Sequence, residues 1–243
     1  KCERTQLDAI VRTYLGGSIR ETIHPSYQAH SYQTTLSDFN NVVYSGEVSL
    51  QSCAFLHNMV EEDQIRHPHY SSYISESPVF LKTEMKQLQE YISNSFIYGD
   101  KGIAIKKIEN GRIKPSVALS KEISKILKGN KSFTLLDDQK LVYEKCLEKA
   151  LSYYGRKNVV IVRGGPGTGK SVVAINILVA LISKRKNAAY VSKNAAPREV
   201  YQDRLFGAMT KSRFKTLFLG SGKFMEISEE KYDCLVVDEA HRL

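Results

Sequence analysis

The stretch NVVIVRGGPGTGKS, residues 158–171, constrains this chain more than any other. Its first half is apolar without a break, which predicts a strand covered on both faces in a parallel sheet. Its second half fits GxxxxGK[ST] at every position and opens a helical pattern. Glycines there let backbone N–H groups turn inward, and the N-terminus of the following helix adds positive potential, so the stretch predicts a phosphate site. Gly164, Gly165, Pro166, Gly167, Thr168 and Gly169 would form the cradle, with Lys170 neutralising β- and γ-phosphate oxygens and Ser171 Oγ ligating Mg²⁺. The expected ligands are therefore ATP and Mg²⁺. A chance lysine after a glycine-rich turn would lack the strand before it and the helix after it.

The run CLVVDEAHRL, residues 234–243, supplies a partner for that site. Apolar residues leading into Asp238 and Glu239 read as a strand with two carboxylates at its tip. In phosphoryl-transfer sites the first such group holds the metal and the second orients the attacking water. Acidic pairs alone abound on surfaces; the strand before this one and the P-loop 68 residues upstream of Asp238 give it meaning. His241 is either a group coupled to the γ-phosphate or nucleic acid, or an ordinary surface histidine. Around these motifs, LLDDQKLVYEKCLEKALSYYG (135–155) predicts a helix with an acidic first turn and apolar Leu141, Val142, Cys146, Leu147 and Ala150. A second helix over 170–186 is apolar nearly all round and closes on KRK, which suits the negative end of its dipole. NAAYVSKN predicts a strand and APREVYQDRLFG a helix. Such alternation calls for a right-handed α/β unit over 132–243, with a parallel sheet.

The first unit, 1–96, mixes shorter elements. HPSYQAHSYQTTLSDFNNVV predicts a helix with Pro25 in its first turn and Tyr27, Ser31, Leu36 and Phe39 on one face. EVSLQSCAFLHN predicts a strand carrying Val48, Leu50, Cys53 and Phe55, and EEDQIRHPHYSSYISESP reads as polar and turn-like. VFLKTEMKQLQEYISNSF predicts an amphipathic helix with Leu81, Met85, Leu88 and Ile92 on its apolar stripe. Residues 97–131 read as a basic linker with turns at YGDKG and ENGR and a short helix from Ser120 to before Gly129.

Charge divides in the same way. The net charge of +9 is the sum of −4 over residues 1–95 (7 Lys and Arg, 11 Asp and Glu) and +13 over the rest. This imbalance points the second unit towards a polyanion, although a generically basic surface would look the same. The longest apolar run is too short to span a bilayer. The chain starts at Lys1 with no leader pattern, and its four cysteines are scattered without a CxxC pair, so a cytoplasmic, membrane-free protein with reduced thiols is expected. Cys53 with His57, or His67 with His69, lack the second ligand pair of a structural zinc site.

FTLLDDQ, GGPGTGKS, SKNAAPREVY and VVDEAHRL together resemble the first half of a superfamily 1-type helicase motor, and hence a RecA-like P-loop NTPase core with its sheet incomplete. More narrowly, KNAAPREVY, the GSG at 220–222 and DEAHRL resemble the bacterial family described as schlafen group 3-like DNA/RNA helicases. YLGGSIRETIHPSYQAHSYQTTLSDFN and CAFLHNM resemble that family's N-terminal region. The resemblance implies that Gln139 reads adenine and that Lys193 and Asn194 contact a single strand. It also implies that the first unit is the later part of a PD-(D/E)xK nuclease-like domain. Gln28 and Tyr32 fit the QxxxY helix of RecB-like nucleases, since i and i+4 share a helix face. The acidic ligands of such a nuclease would lie before Lys1, and the rest of the motor after Leu243, so the chain is expected to be a fragment with little or no turnover alone.

Three functions compete. A nucleic-acid-stimulated ATPase, helicase or translocase, on single-stranded or duplex nucleic acid with DNA ahead of RNA, is favoured by the basic second unit, Gln139, Lys193 and Asn194. A P-loop switch ATPase without a nucleic-acid track is the alternative. A catalytically silent binding module is opposed by intact Lys170, Ser171, Asp238 and Glu239.

Overall fold

The computed structural model describes residues 2–96, 98–112, 134–152, 157–193, 216–220, 222 and 231–242. These fall into two units, Lys1–Pro115 and Ser116–Leu243. Both are α/β, and two of the three small sheets are parallel.

In the first unit β1 (Cys2–Arg4), β2 (Ile10–Leu15) and β3 (Ser18–Ile23) form an antiparallel sheet in the order β1-β2-β3. The β2–β3 turn is Gly16-Gly17, both at positive φ, the conformation a two-residue hairpin loop requires. Helix α1 (Pro25–Phe39) follows directly, capped by His24, whose ring accepts from Ser26 N. It buries Tyr27 and Ser31 as expected, but Leu36 is exposed, so the buried face ends before the last turn. Asn40 then closes α1 and opens α2 (Asn41–Tyr44). Its Oδ1 accepts from Val42 N and its Nδ2 donates to Ile108 O of α5 (Ile103–Asn110).

Three expectations are corrected in this unit. The strand predicted over 47–58 shrinks to β4 (Ala54–Leu56), parallel to β5 (Val79–Leu81). Upstream of β4 the backbone is held by side chains instead of a ladder: Gln33 donates to Leu50 O and Tyr91 to Ser52 O. The segment read as polar and turn-like forms a 3₁₀ turn and α3 (Ser71–Glu76), and it gives Ile65 and Tyr70 to the core beside Cys2, Val11 and Leu81. Tyr70 is buried because its hydroxyl donates to Ile10 O. Finally, Leu81 belongs to β5, and α4 (Met85–Ser95) starts only after a 3₁₀ turn at Lys82–Glu84. Glu84 enforces that break, accepting from Leu81 N and binding Arg66 through both carboxylate oxygens. Met85 and Ile92 are left exposed.

In the second unit α6 (Asp137–Leu151) and α7 (Lys170–Ser183) pack together, and α7 lies on a parallel sheet of β6 (Ala188–Val191), β7 (Phe218–Leu219) and β8 (Cys234–Val237). The strand order is β7-β6-β8, with Tyr190 opposite both Phe218 and Val236. Leu147, Val173, Ile177, Leu178, Leu181, Tyr190 and Phe218 are among the residues of one core. Helix α6 also buries Lys140 and Glu144 as an ion pair at 2.8 Å, with side chains 8% and 9% exposed. Apolar spacing alone does not anticipate that pair.

The largest correction is to the apolar run before the P-loop. Residues 157–165 form no strand, and Val159, Val160, Ile161 and Val162 are 86%, 48%, 74% and 42% exposed. A continuous apolar run describes a strand only when neighbours cover both its faces, and among the described residues no strand pairs with it. The helices expected within 120–129 and 196–207 lie outside the described residues. No described helix is long and apolar enough to cross a membrane.

Candidate phosphate site

The turn before α7 is shaped by its glycines. Gly167 and Gly169 adopt φ of 75° and 81°, and a Cβ on Gly169 would stand 2.5 Å from Gln139 Nε2. Conformation and close approach together leave Gly169 no ordinary replacement. Thr168 Oγ1 donates back to Gly165 O at 2.9 Å. Lys170 Nζ donates to Gly164 O at 3.0 Å and Gly165 O at 2.8 Å, which places its ammonium under the loop. Two of its three donors are used there and one remains.

Ser171 opens the first turn of α7, and Asp238 follows β8, its backbone N–H donating to Val191 O. Folding brings the two together across 67 positions: Ser171 Oγ donates to Asp238 Oδ2 at 2.7 Å. Asp238 is 7% exposed, and two further donors hold it. Tyr190 OH reaches the same Oδ2, and Glu239 N donates to Oδ1 at 3.1 Å. Glu239 has φ of 53°, in the left-handed region that residues with a side chain avoid. Its Oε2 lies 3.4 Å from Nδ1 of the exposed His241. Strained backbone of this kind gathers at functional sites.

Gln139 spends both ends of its amide. Nε2 donates to Thr168 O at 3.0 Å, and Oε1 accepts from Leu136 N at 3.2 Å, so the side chain ties the cradle to the start of α6. Lys193 is exposed just beyond β6, whereas Asn194 and Ser221 lie outside the described residues. In the first unit Gln28 and Tyr32 do share one face of α1, Gln28 Nε2 donating to Tyr32 OH at 3.1 Å with Tyr32 half exposed. Sequence reasoning missed Tyr190. Its signal was present: a lone hydroxyl-bearing aromatic inside AAYV must find a hydrogen-bond partner once buried.

Chemically, the arrangement offers backbone N–H groups at a helix N-terminus, a lysine with a spare donor, and an oxygen-only pair in Ser171 and Asp238. That pair suits a small hard cation that takes one or two protein oxygens and fills its shell with phosphate and water. No group of three or more His, Cys, Asp or Glu gathers for a metal among the described residues. A family model for the Schlafen group 3, DNA/RNA helicase domain matches residues 157–243, less than half of the chain. No curated protein and no solved structure matches. The domain match suggests a nucleic-acid, helicase-like function.

Proposed function

We propose that the second unit is part of a RecA-like, superfamily 1-type motor that binds and hydrolyses ATP and acts on nucleic acid. The Ser171–Asp238 hydrogen bond carries this reading, because it joins the two separate motifs that a P-loop site needs in one place. Residues 164–169 cradle the phosphates with backbone N–H groups, and Lys170 turns from the loop carbonyls to their oxygens. Bound Mg²⁺ would offset the charge on those oxygens, and Ser171 and Asp238 would hold it. Glu239 orients the attacking water. Gln139 must release Thr168 O or Leu136 N before it can read a base. Lys193 contacts a nucleic-acid backbone. The first unit, with Gln28 and Tyr32 on one helix face, is read as the nuclease-like partner of that motor.

The test is fluorescent ATP-analogue binding to the folded chain with Mg²⁺ present. Wild type should bind, and Lys170→Ala should lose at least tenfold in affinity while its circular dichroism is unchanged. Equal binding by the two proteins would remove the P-loop assignment. In a protein containing the whole motor, ATP turnover should rise with single-stranded nucleic acid; turnover indifferent to it would favour the switch-ATPase reading.

A further inference from the structure

The hydrogen bond from Tyr190 to Asp238 belongs to no recognised motif here, yet it touches the central carboxylate of the site. Tyr190 sits in the middle of β6 and is fully buried, its ring packed against Phe218 with centroids 5.5 Å apart. Strand register places it opposite Val236, two residues before Asp238. Side chains two apart on a strand share a face, so Tyr190, Val236 and Asp238 all look towards α7. The phenol therefore ends at the carboxyl end of β8, where Ser171 arrives from the first turn of α7.

A carboxylate offers about four acceptor positions. On Asp238, Oδ2 receives two donors, Tyr190 and Ser171, and Oδ1 receives one, Glu239 N. Oδ2 is thus filled, and the remaining acceptor position is on Oδ1. Ser171 can donate its proton to Asp238 and keep its lone pairs for a cation, and Glu239 sits on backbone of positive φ. Tyr190 is the donor of the three that is fixed by a packed core. Resting on the nucleotide-site reading above, we infer that Tyr190 is a positioning residue for magnesium. Its hydroxyl holds the rotamer of Asp238, which leaves the open acceptor position on Oδ1 for a metal or a water bound to it. The residue acts through Asp238 and touches neither nucleotide nor metal.

The variant is Tyr190→Phe, which removes one oxygen and keeps the ring against Phe218. The measurement is affinity of the whole chain for a fluorescent ATP analogue, titrated with Mg²⁺ and repeated in EDTA. The expected result is a roughly tenfold rise in the Mg²⁺ concentration for half-maximal binding, the size of effect that one hydrogen bond to a charged group supports. Affinity in EDTA should stay within twofold of wild type. A change of equal size with and without Mg²⁺ would mean that Tyr190 merely supports the fold, and an unchanged Mg²⁺ titration would mean that it does nothing for the metal; either overturns the proposal. If wild type itself fails to bind, or Lys170→Ala binds as well as wild type, the nucleotide-site reading fails first and this inference goes with it.

Discussion

His24 illustrates how much one side chain can be made to do. Ser26 N–H donates to Nδ1, which puts the ring proton on Nε2, where it donates to Ile65 O at 2.8 Å. The neutral imidazole is fully satisfied, and its face stacks on Tyr70 with centroids 4.4 Å apart. Burial holds its pKa below the ordinary value, against a smaller opposing pull from the Ile65 carbonyl. The unfolded chain therefore takes up this proton more readily than the folded one. The stability at stake is fully present above about pH 6.5 and is lost as pH falls from there towards the lower folded value, by at most about 1.4 kcal/mol per pH unit. Thermal unfolding followed from pH 7 to pH 5 should show the midpoint falling, and His24→Asn, which keeps a capping oxygen, should flatten that fall. A slope identical in the two proteins would contradict the assignment. Much of the candidate site was legible at this scale because glycine, lysine, serine and paired acids have few reasons to occur in that order. Tyr190 and His24 were not, because a hydroxyl or imidazole inside an apolar segment shows its partner only after distant backbone has been brought to it.

Among the elements, the long helices α1, α6 and α7 were legible, whereas the short helices α3 and α5 and the strand ends were not. Helix α1 and helix α6 begin where Pro25 and the Asp137-Asp138 pair announce them. The stripe of Leu81, Met85, Leu88 and Ile92 misled because helical spacing continues across a boundary that Arg66, a residue far outside the segment, imposes through Glu84. Arg66 donates to both Glu84 oxygens, to Glu62 and to Val79 O. The hydrogen bond with Glu84 raises the pKa of Arg66, and the same bond lowers that of Glu84. Arg66→Ala should therefore unlatch β5 from α4 and cost about 1.5–3 kcal/mol, the range for hydrogen bonds to charged groups. Denaturant melting of the chain would read this directly, and Glu84→Gln should lose less, since it keeps an acceptor for Leu81 N. Equal stability of Arg66→Ala and wild type would show that the turn is held by packing alone.

For the whole molecule, the charge of the sequence divides near residue 95, whereas the fold divides after Pro115, inside the stretch expected to be a linker. If the basic balance of the second unit serves a polyanion, binding of single-stranded nucleic acid to the chain should weaken steeply with salt. Each phosphate contact formed releases counterions and contributes a slope of about −0.7 in log affinity against log salt. Lys193→Ala should lower affinity for every sequence alike, since a backbone contact carries no sequence information. Fluorescence anisotropy between low and physiological salt would measure both, and salt-independent binding would speak against a nucleic-acid track. What could not be read at this scale was the state of the run before the P-loop, because whether a strand forms is settled by its neighbours and not by its own composition.

That run has a consequence for the protein as a material. Val159 to Val162 is uncharged, β-branched throughout, free of proline and open to solvent, the character of segments that stack between chains into cross-β ribbons. Lys157 and Arg163 stand close on either side of it, like charges that oppose such stacking. Their repulsion acts over a Debye length of about 10 Å at 0.1 M salt and about 3 Å at 1 M. Concentrated salt, the usual means of stripping nucleic acid from a basic protein, would therefore screen the two charges that oppose stacking of this run.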